Sequence, residues 1–225
     1  MEYLFDLHVH TATSSSCGET EPEDIVKRYI GLGYDGICIT DHMNSGNFGS
    51  FKGGQKAKSE QFLEGYRRTK AAAGDRLKVI LGMEIRFLDC GNDYLVFGFD
   101  EKFIMENKLH KFKNLEEFHP FAKENGLVVY QAHPFRPGLK IINYELLDGM
   151  EVYNGHGGHD SANDIAYAWA KKRGLRMSSA SDFHYDTGKE PGGVYFKELP
   201  NDSFELAKLL LENDYRLKIW EEAEK

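Results

Sequence analysis

The chain alternates short apolar runs with amphipathic stretches, and most of the runs end in a histidine or a carboxylate. Near-continuous apolar runs read as buried strands of a parallel sheet, and the amphipathic stretches between them make a βαβα order. Tyr3–Val9 is a first strand and Asp35–Thr40 a second, followed by Leu77–Met83, Tyr94–Phe99, Leu127–Ala132, Gly149–Tyr153 and Met177–Ala180. Val194–Leu199 is expected as an edge strand. Helices are predicted over Thr20–Gly33, Ala57–Ala73, about Leu115–Asn125, Ser161–Lys172 and Phe204–Asn213. The first begins on a capping box of Thr20 and Glu23, with Pro22 in its first turn. Met43–Gly54, rich in Gly, Ser and Asn, is a long surface loop. No repeat, low-complexity tract or linker divides the chain, so residues 1–225 read as a single domain.

The residues at the strand ends carry the chemistry. The first strand ends in His8 and His10, the second is followed by Asp41 and His42, and the third by Glu84. The Leu127 strand leads into His133, then Pro134 and Arg136, and the Met177 strand into Asp182 and His184. In a parallel barrel the C-terminal ends of all strands open onto one face, where active sites are built. Side chains alternate along a strand, so His8 and His10 share a direction, as do Asp182 and His184. The expected result is a ring of His8, His10, His42, Glu84, His133, Asp182 and His184 at one mouth. Imidazoles and carboxylates together suit zinc, manganese or iron. One tetrahedral zinc takes three or four protein ligands, so this set is sized for two or three divalent ions. Ions roughly 3.5–4 Å apart acidify a bridging water, clamp phosphoryl oxygens and steady the leaving oxygen. A lone His-x-His is a weak signal; its recurrence with ligand-type residues at five strand ends is a strong one.

Composition bears on location and partners. The chain has 28 Lys+Arg against 36 Asp+Glu, a formal net charge of −8. Sequence-independent nucleic-acid binding rests on Lys and Arg meeting phosphates, so strong nucleic-acid binding is not expected, while a small phosphorylated substrate, the partner expected of such a metal site, is not excluded by the charge. No apolar run approaches the roughly 18–20 residues of a membrane span. The start, MEYLFDLHVH, lacks the features of a signal peptide, so the expectation is a cytoplasmic protein without membrane attachment. Three scattered cysteines, Cys17, Cys38 and Cys90, do not make a disulfide framework.

The motifs and their order resemble the PHP (polymerase and histidinol phosphatase) family. The likeness rests on His8-x-His10 within DLHVHT, Ile39-Thr40-Asp41-His42, Gly82-Met83-Glu84, Ala132-His133-Pro134 and Ser181-Asp182-x-His184, and runs from about residue 4 to residue 186. It implies an α/β fold, a distorted, TIM-barrel-like (β/α)7 barrel with a trinuclear metal site at the C-terminal ends of its strands. It also implies hydrolysis of phosphoesters. Carried across, one ion takes His8, His10, Glu84 and Asp182, a second uses His42 and His184, and a third shares Glu84 and uses His133. Two departures stand out. Where the family usually supplies another ligand after His-x-His, this chain places Cys17, readable as a zinc ligand or as a small residue in a tight loop. The histidine that many members carry beyond Glu84 is missing, which weakens the third site or hands it to Asp93.

The expectation is therefore a metal-dependent phosphoric ester hydrolase, a phosphatase or phosphodiesterase. It would hydrolyse a small phosphomonoester or phosphodiester through a metal-bridging hydroxide. Arg136, with its planar fork, is the expected grip on the phosphate and the catalytic stabiliser of its charge. Asn154 is a candidate substrate contact at the mouth, with a turn-forming role as the competing reading. His156 and His159 sit in a glycine-rich loop, and His110 and His119 are expected to be solvated. Two alternatives stand beside this reading, an amidohydrolase-type metal hydrolase and a metal-binding PHP module without catalysis. The intact ligand set and the Asp182-x-His184 ending favour the phosphoesterase.

Overall fold

The structure is a computed structural model that describes residues 1–188 and 191–219, so 189–190 and 220–225 of the expected 1–225 domain lie outside the described residues. The first strands are β1 (Tyr3–Val9), β2 (Gly36–Ile39), β3 (His42–Met43), β4 (Lys78–Leu81), β5 (Met83–Arg86) and β6 (Asp93–Phe97). They are followed by β7 (Val128–Gln131), β8 (Gly149–Asn154), β9 (Arg176–Ala180), β10 (Gly193–Phe196) and β11 (Tyr215–Lys218). One sheet runs β11-β10-β1-β2-β4 and the other β3-β5-β6-β7-β8-β9.

The predicted strands are present, but the fold is a mixed-sheet α/β arrangement, and hydrogen bonding does not show the expected all-parallel TIM-like barrel. Strands β1, β2 and β4 are parallel, as are β7, β8 and β9. Strand β6 runs antiparallel to both β5 and β7. The cause is local: residues 87–92 between β5 and β6 are too few for the crossover of about a dozen residues that a parallel neighbour requires. Strand β10 is not an edge, because β11 pairs with its outer side.

The chain changes sheets four times, between β2 and β3, β3 and β4, β4 and β5, and β9 and β10. The change from β4 to β5 happens at Gly82, where a Cβ would lie 2.7 Å from Cys38 Sγ and 3.0 Å from Thr40 Cγ2. The two sheets also meet beyond β9. The His10 N–H donates to the Phe183 carbonyl at 2.9 Å and the Phe183 N–H donates to the His8 carbonyl at 3.1 Å, bridging Val9 and Phe183.

Helices α1 (Pro22–Gly31), α2 (Gln55–Ala73), α3 (Glu101–Glu106), α4 (Leu115–Glu124), α5 (Asn163–Arg173) and α6 (Ser203–Glu212) cover the sheets. The capping box expected at Thr20 does not form: Glu21 occupies the cap position, and the Thr20 hydroxyl reaches the His184 carbonyl instead. Phe5, Leu7, Cys38, Phe97 and Tyr130 form one buried cluster, to which α6 contributes Leu206 and Leu210. Helix α2 packs closely on the mouth, since a Cβ on Gly65 would lie 2.2 Å from Thr11 Oγ1 and 2.7 Å from Asp41 Oδ2.

Candidate metal centre

The seven residues expected at the mouth converge there. His8 and His10 leave β1 with their Nε2 atoms 3.0 Å apart. Glu84 on β5 places Oε1 at 3.3 Å from His8 Nε2 and 3.0 Å from His133 Nε2. Its Oε2 lies 3.4 Å from His10 Nε2 and 2.7 Å from His42 Nδ1. Asp182 Oδ1 stands 3.3 Å from His8 Nε2 and 3.4 Å from both His10 Nε2 and His184 Nδ1. Glu84 sits on the parallel register His42↔Glu84, so the switch of sheets at Gly82 is what brings these two side by side.

Strand direction explains one further neighbour. Because β6 is antiparallel, its first residue, Asp93, lies at the mouth, where Arg86 Nε donates to Asp93 Oδ1 at 2.7 Å. His133 (φ 29°) and Asp182 (φ 52°) adopt left-handed backbone, a strained state for residues other than glycine that persists where the surroundings over-determine it.

The donor set fits divalent ions. Ligands held at about 2.0–2.1 Å around one tetrahedral ion lie about 3.3–3.4 Å from each other, the spacing that His8 and His10 keep from Glu84 and Asp182. His42 Nδ1 and Glu84 Oε2 are buried and 2.7 Å apart, yet among the described residues neither has a hydrogen-bond partner. Four groups of three donors lie within 4.8 Å: His8–His10–Asp182, His8–Glu84–His133, His10–His42–His184 and His42–Glu84–Asp93.

A layer of buried polar residues behind the donors sets their orientation. Glu151 Oε1 lies 3.0 Å from His8 Nδ1, which fixes the tautomer that leaves Nε2 free to ligate, and Glu151 Oε2 accepts from the His133 backbone N–H at 2.8 Å. Asp6 accepts from the backbone of His8 and Ser181 and from the Tyr29 hydroxyl. Burial pushes its carboxyl up to about 6 against those hydrogen bonds. Asp41 accepts from the Thr11 backbone and from the Thr11 and Ser15 hydroxyls, which shapes the loop after β1. In the sequence Asp6, Asp41 and Glu151 show only as carboxylates within or just after apolar runs, a signal that assigns them no role.

Electrostatics reinforce the pattern. Burial opposes ionisation of Glu84, but His42, His8 and His133 outweigh it and hold the carboxyl well below its usual range. Burial likewise opposes a charge on His8, and Asp182, Glu84 and Glu151 reverse that and raise it. His10, between His184 and His42, is held low by burial and by both neighbours.

Other expectations need revising. Asn154 does not present a free amide to the mouth: it donates to Glu151 Oε2 at 2.9 Å and Asp182 Oδ2 at 3.2 Å, while its oxygen accepts from His156 N–H and the Ser161 hydroxyl. It is a positioning residue for the carboxylates. Arg136 lines a cavity of about 700 Å³ over the donors together with Cys17, Arg86, His156 and His159, and its Nη2 donates to Asp182 Oδ2 at 2.6 Å. His110 is buried against the Phe48 ring, and His119 bonds the Leu146 carbonyl through Nδ1, so neither is simply solvated.

A family model for the PHP domain matches residues 6–183. The chain belongs to the PHP family. No curated protein matches it by sequence. Among solved structures, a two-domain Bacteroides vulgatus protein containing a predicted PHP-like metal-dependent phosphoesterase aligns at TM-score 0.67 with 18% identity, over 97% of this chain and 65% of that one. The protein PsfC from Pseudomonas syringae aligns at TM-score 0.68 with 15% identity, over 97% of this chain and 92% of that one. Endonuclease Q, solved with a 27-mer duplex bearing an abasic lesion at its active site, aligns at TM-score 0.61 with 17% identity, over 97% of this chain and 58% of that one. At such identities the likeness speaks to the fold. This PHP domain therefore spans about two thirds of the first relative, and less of the endonuclease.

The endonuclease overturns one expectation. The net charge of −8 spoke against strong nucleic-acid binding and left a small phosphorylated substrate as the expected partner, yet the same fold serves a DNA-cutting enzyme. A whole-chain sum is a poor guide here, because bound cations set the local field of a metal site. Among the described residues, no helix is long and apolar enough to cross a membrane.

Proposed function

We propose that the chain is a single catalytic domain that hydrolyses phosphodiesters of nucleic acid with the help of divalent ions. The observation that carries this reading is the convergence of His8, His10, His42, Glu84, His133, Asp182 and His184, with donor spacings suited to shared ions. Membership of the PHP family and the endonuclease of the same fold support the chemistry and the substrate class. We read the two sheets as halves of one distorted barrel, joined where Val9 meets Phe183.

Zinc, manganese or iron held by these residues would acidify a water and neutralise charge on the phosphoryl group. The protein does the rest. His8 and His10 turn Nε2 to the mouth, with Glu151 behind His8 Nδ1 and Ser15 Oγ 3.3 Å from His10 Nδ1, and Glu151 also holds the His133 backbone in register. Arg136, tied to Asp182 through Nη2, holds a planar cation over the cavity where phosphoryl oxygens would lie. The His156 and His159 rings lie 4.7 Å apart, tilted against each other, on the wall of the same cavity.

The test is a single-strand and duplex DNA panel, with and without an abasic site, given to the metal-loaded chain. Chelator-sensitive cleavage that returns with zinc or manganese is expected. A chain that carries its ions and cuts no phosphodiester in the panel overturns the reading.

A further inference from the structure

Cys17 lies between two of the histidines. Its Sγ is 3.1 Å from His42 Nε2 and 3.1 Å from His184 Nε2. The loop that carries it is tied to the segments bearing both rings. The Glu19 N–H donates to the His184 carbonyl at 2.9 Å, and the Ser16 N–H donates to Asn47 Oδ1 at 2.9 Å. Asn47 in turn donates its amide to the carbonyls of Ser14 and His42. Gly18 has no room for a side chain, since a Cβ there would lie 2.5 Å from the Thr11 carbonyl oxygen. The thiol is therefore placed by the fold. An independent pointer to a cation lies on the other side of the His42 ring: Glu84 Oε2, on a side chain only 1% exposed, has no hydrogen-bond partner among the described residues and faces His42 Nδ1 at 2.7 Å.

We propose that Cys17 is a thiolate ligand that, with His42 and His184, makes the outer position a sulfur–imidazole site for zinc-like ions. The proposal rests on the reading of the mouth as a metal centre and adds a selectivity to it. Thiolates favour zinc and its soft neighbours, whereas manganese and magnesium favour oxygen. On one tetrahedral ion a thiolate and an imidazole nitrogen stand roughly 3.5 Å apart, from bond lengths of about 2.3 and 2.0–2.1 Å. Each sulfur–nitrogen distance need lengthen by only a few tenths of an ångström from its 3.1 Å. Three protein donors leave a fourth position open, as catalytic zinc sites do. Binding releases the thiol proton to solvent and involves no oxidation or reduction.

Cobalt titration of the metal-free full chain tests this, because a thiolate on cobalt produces a near-ultraviolet charge-transfer band that nitrogen and oxygen ligands lack. The wild-type chain should show that band, and Cys90→Ser should keep it. Cys17→Ser should lose the band together with one ion per chain, with zinc retention weakened by about tenfold or more. Cys17→Asp should recover the ion without the band and shift preference toward manganese. Zinc should slow iodoacetamide labelling of Cys17 and leave Cys90 unaffected. Circular dichroism confirms that the variants fold, as expected for an exposed side chain. Cobalt binding by the wild-type chain without a sulfur band, and labelling of Cys17 indifferent to zinc, would remove the thiolate and leave the metal centre standing. A wild-type chain that binds neither cobalt nor zinc removes both.

Discussion

His8 and His184 are imidazoles of one centre held in opposite ways. His8 leaves a central strand, is fully buried, and is fixed behind by Glu151 and through its backbone by Asp6. His184 follows β9 in a loop, is 11% exposed on its side chain, and touches Cys17 and the His156 ring. The same contrast divides the whole mouth. His10, Glu84, His133 and Asp182 are deep and over-determined, two of them in strained backbone. Cys17 and His42 sit at the rim on the loop after β1 and on the two-residue β3. The deep donors are placed by the sheets, and the rim donors by loops that can adjust around an ion or a substrate.

Glu84→Ala is the most severe way to break the deep half, because Glu84 meets His8, His10, His42 and His133. Metal content by mass spectrometry and cleavage rate should both fall by more than the roughly 10–100-fold seen when residues behind metal ligands are changed. Glu151→Gln should fall within that range of roughly 10–100-fold in metal affinity or rate, with every donor still present. An unchanged zinc affinity would show that the deep layer does not orient His8. His156→Ala should be mildest: metal content unchanged, rate reduced by less than about tenfold, and stability within about 0.5 kcal/mol in a denaturant titration. A loss of metal in that variant would erase the distinction between rim and depth.

Much of this contrast was legible in the residues alone. The strand ends at His8, His42, Glu84, His133 and Asp182 announced themselves because polar residues interrupt apolar runs. The mouth position of Asp93 was harder to read, since it follows from the antiparallel course of β6, and the short 87–92 turn was not taken as the signal of reversal. Helix α3 and strand β11 are not legible in the sequence because EKFIME and YRLK are too short, with apolar and polar residues in equal number, to show a period. The capping box at Thr20 failed for a specific reason: its hydroxyl reaches the His184 carbonyl. His110 read as polar because its partner, Phe48, lies in a loop that sequence alone could not fold over it.

The bridge between Val9 and Phe183 has a consequence for how the protein comes into being. Its partners are separated by most of the chain, and closing so long a loop is entropically costly, so contacts of this kind are made late. His8, His10, Asp182 and His184 flank that closure. The deep donors therefore assemble only after β9 has been added to the sheet, and a nascent chain lacking its last third has histidines but no centre. On the proposed reading of the mouth, a tightly bound ion would report that the first strand and the last of the ligand-bearing segments have found each other.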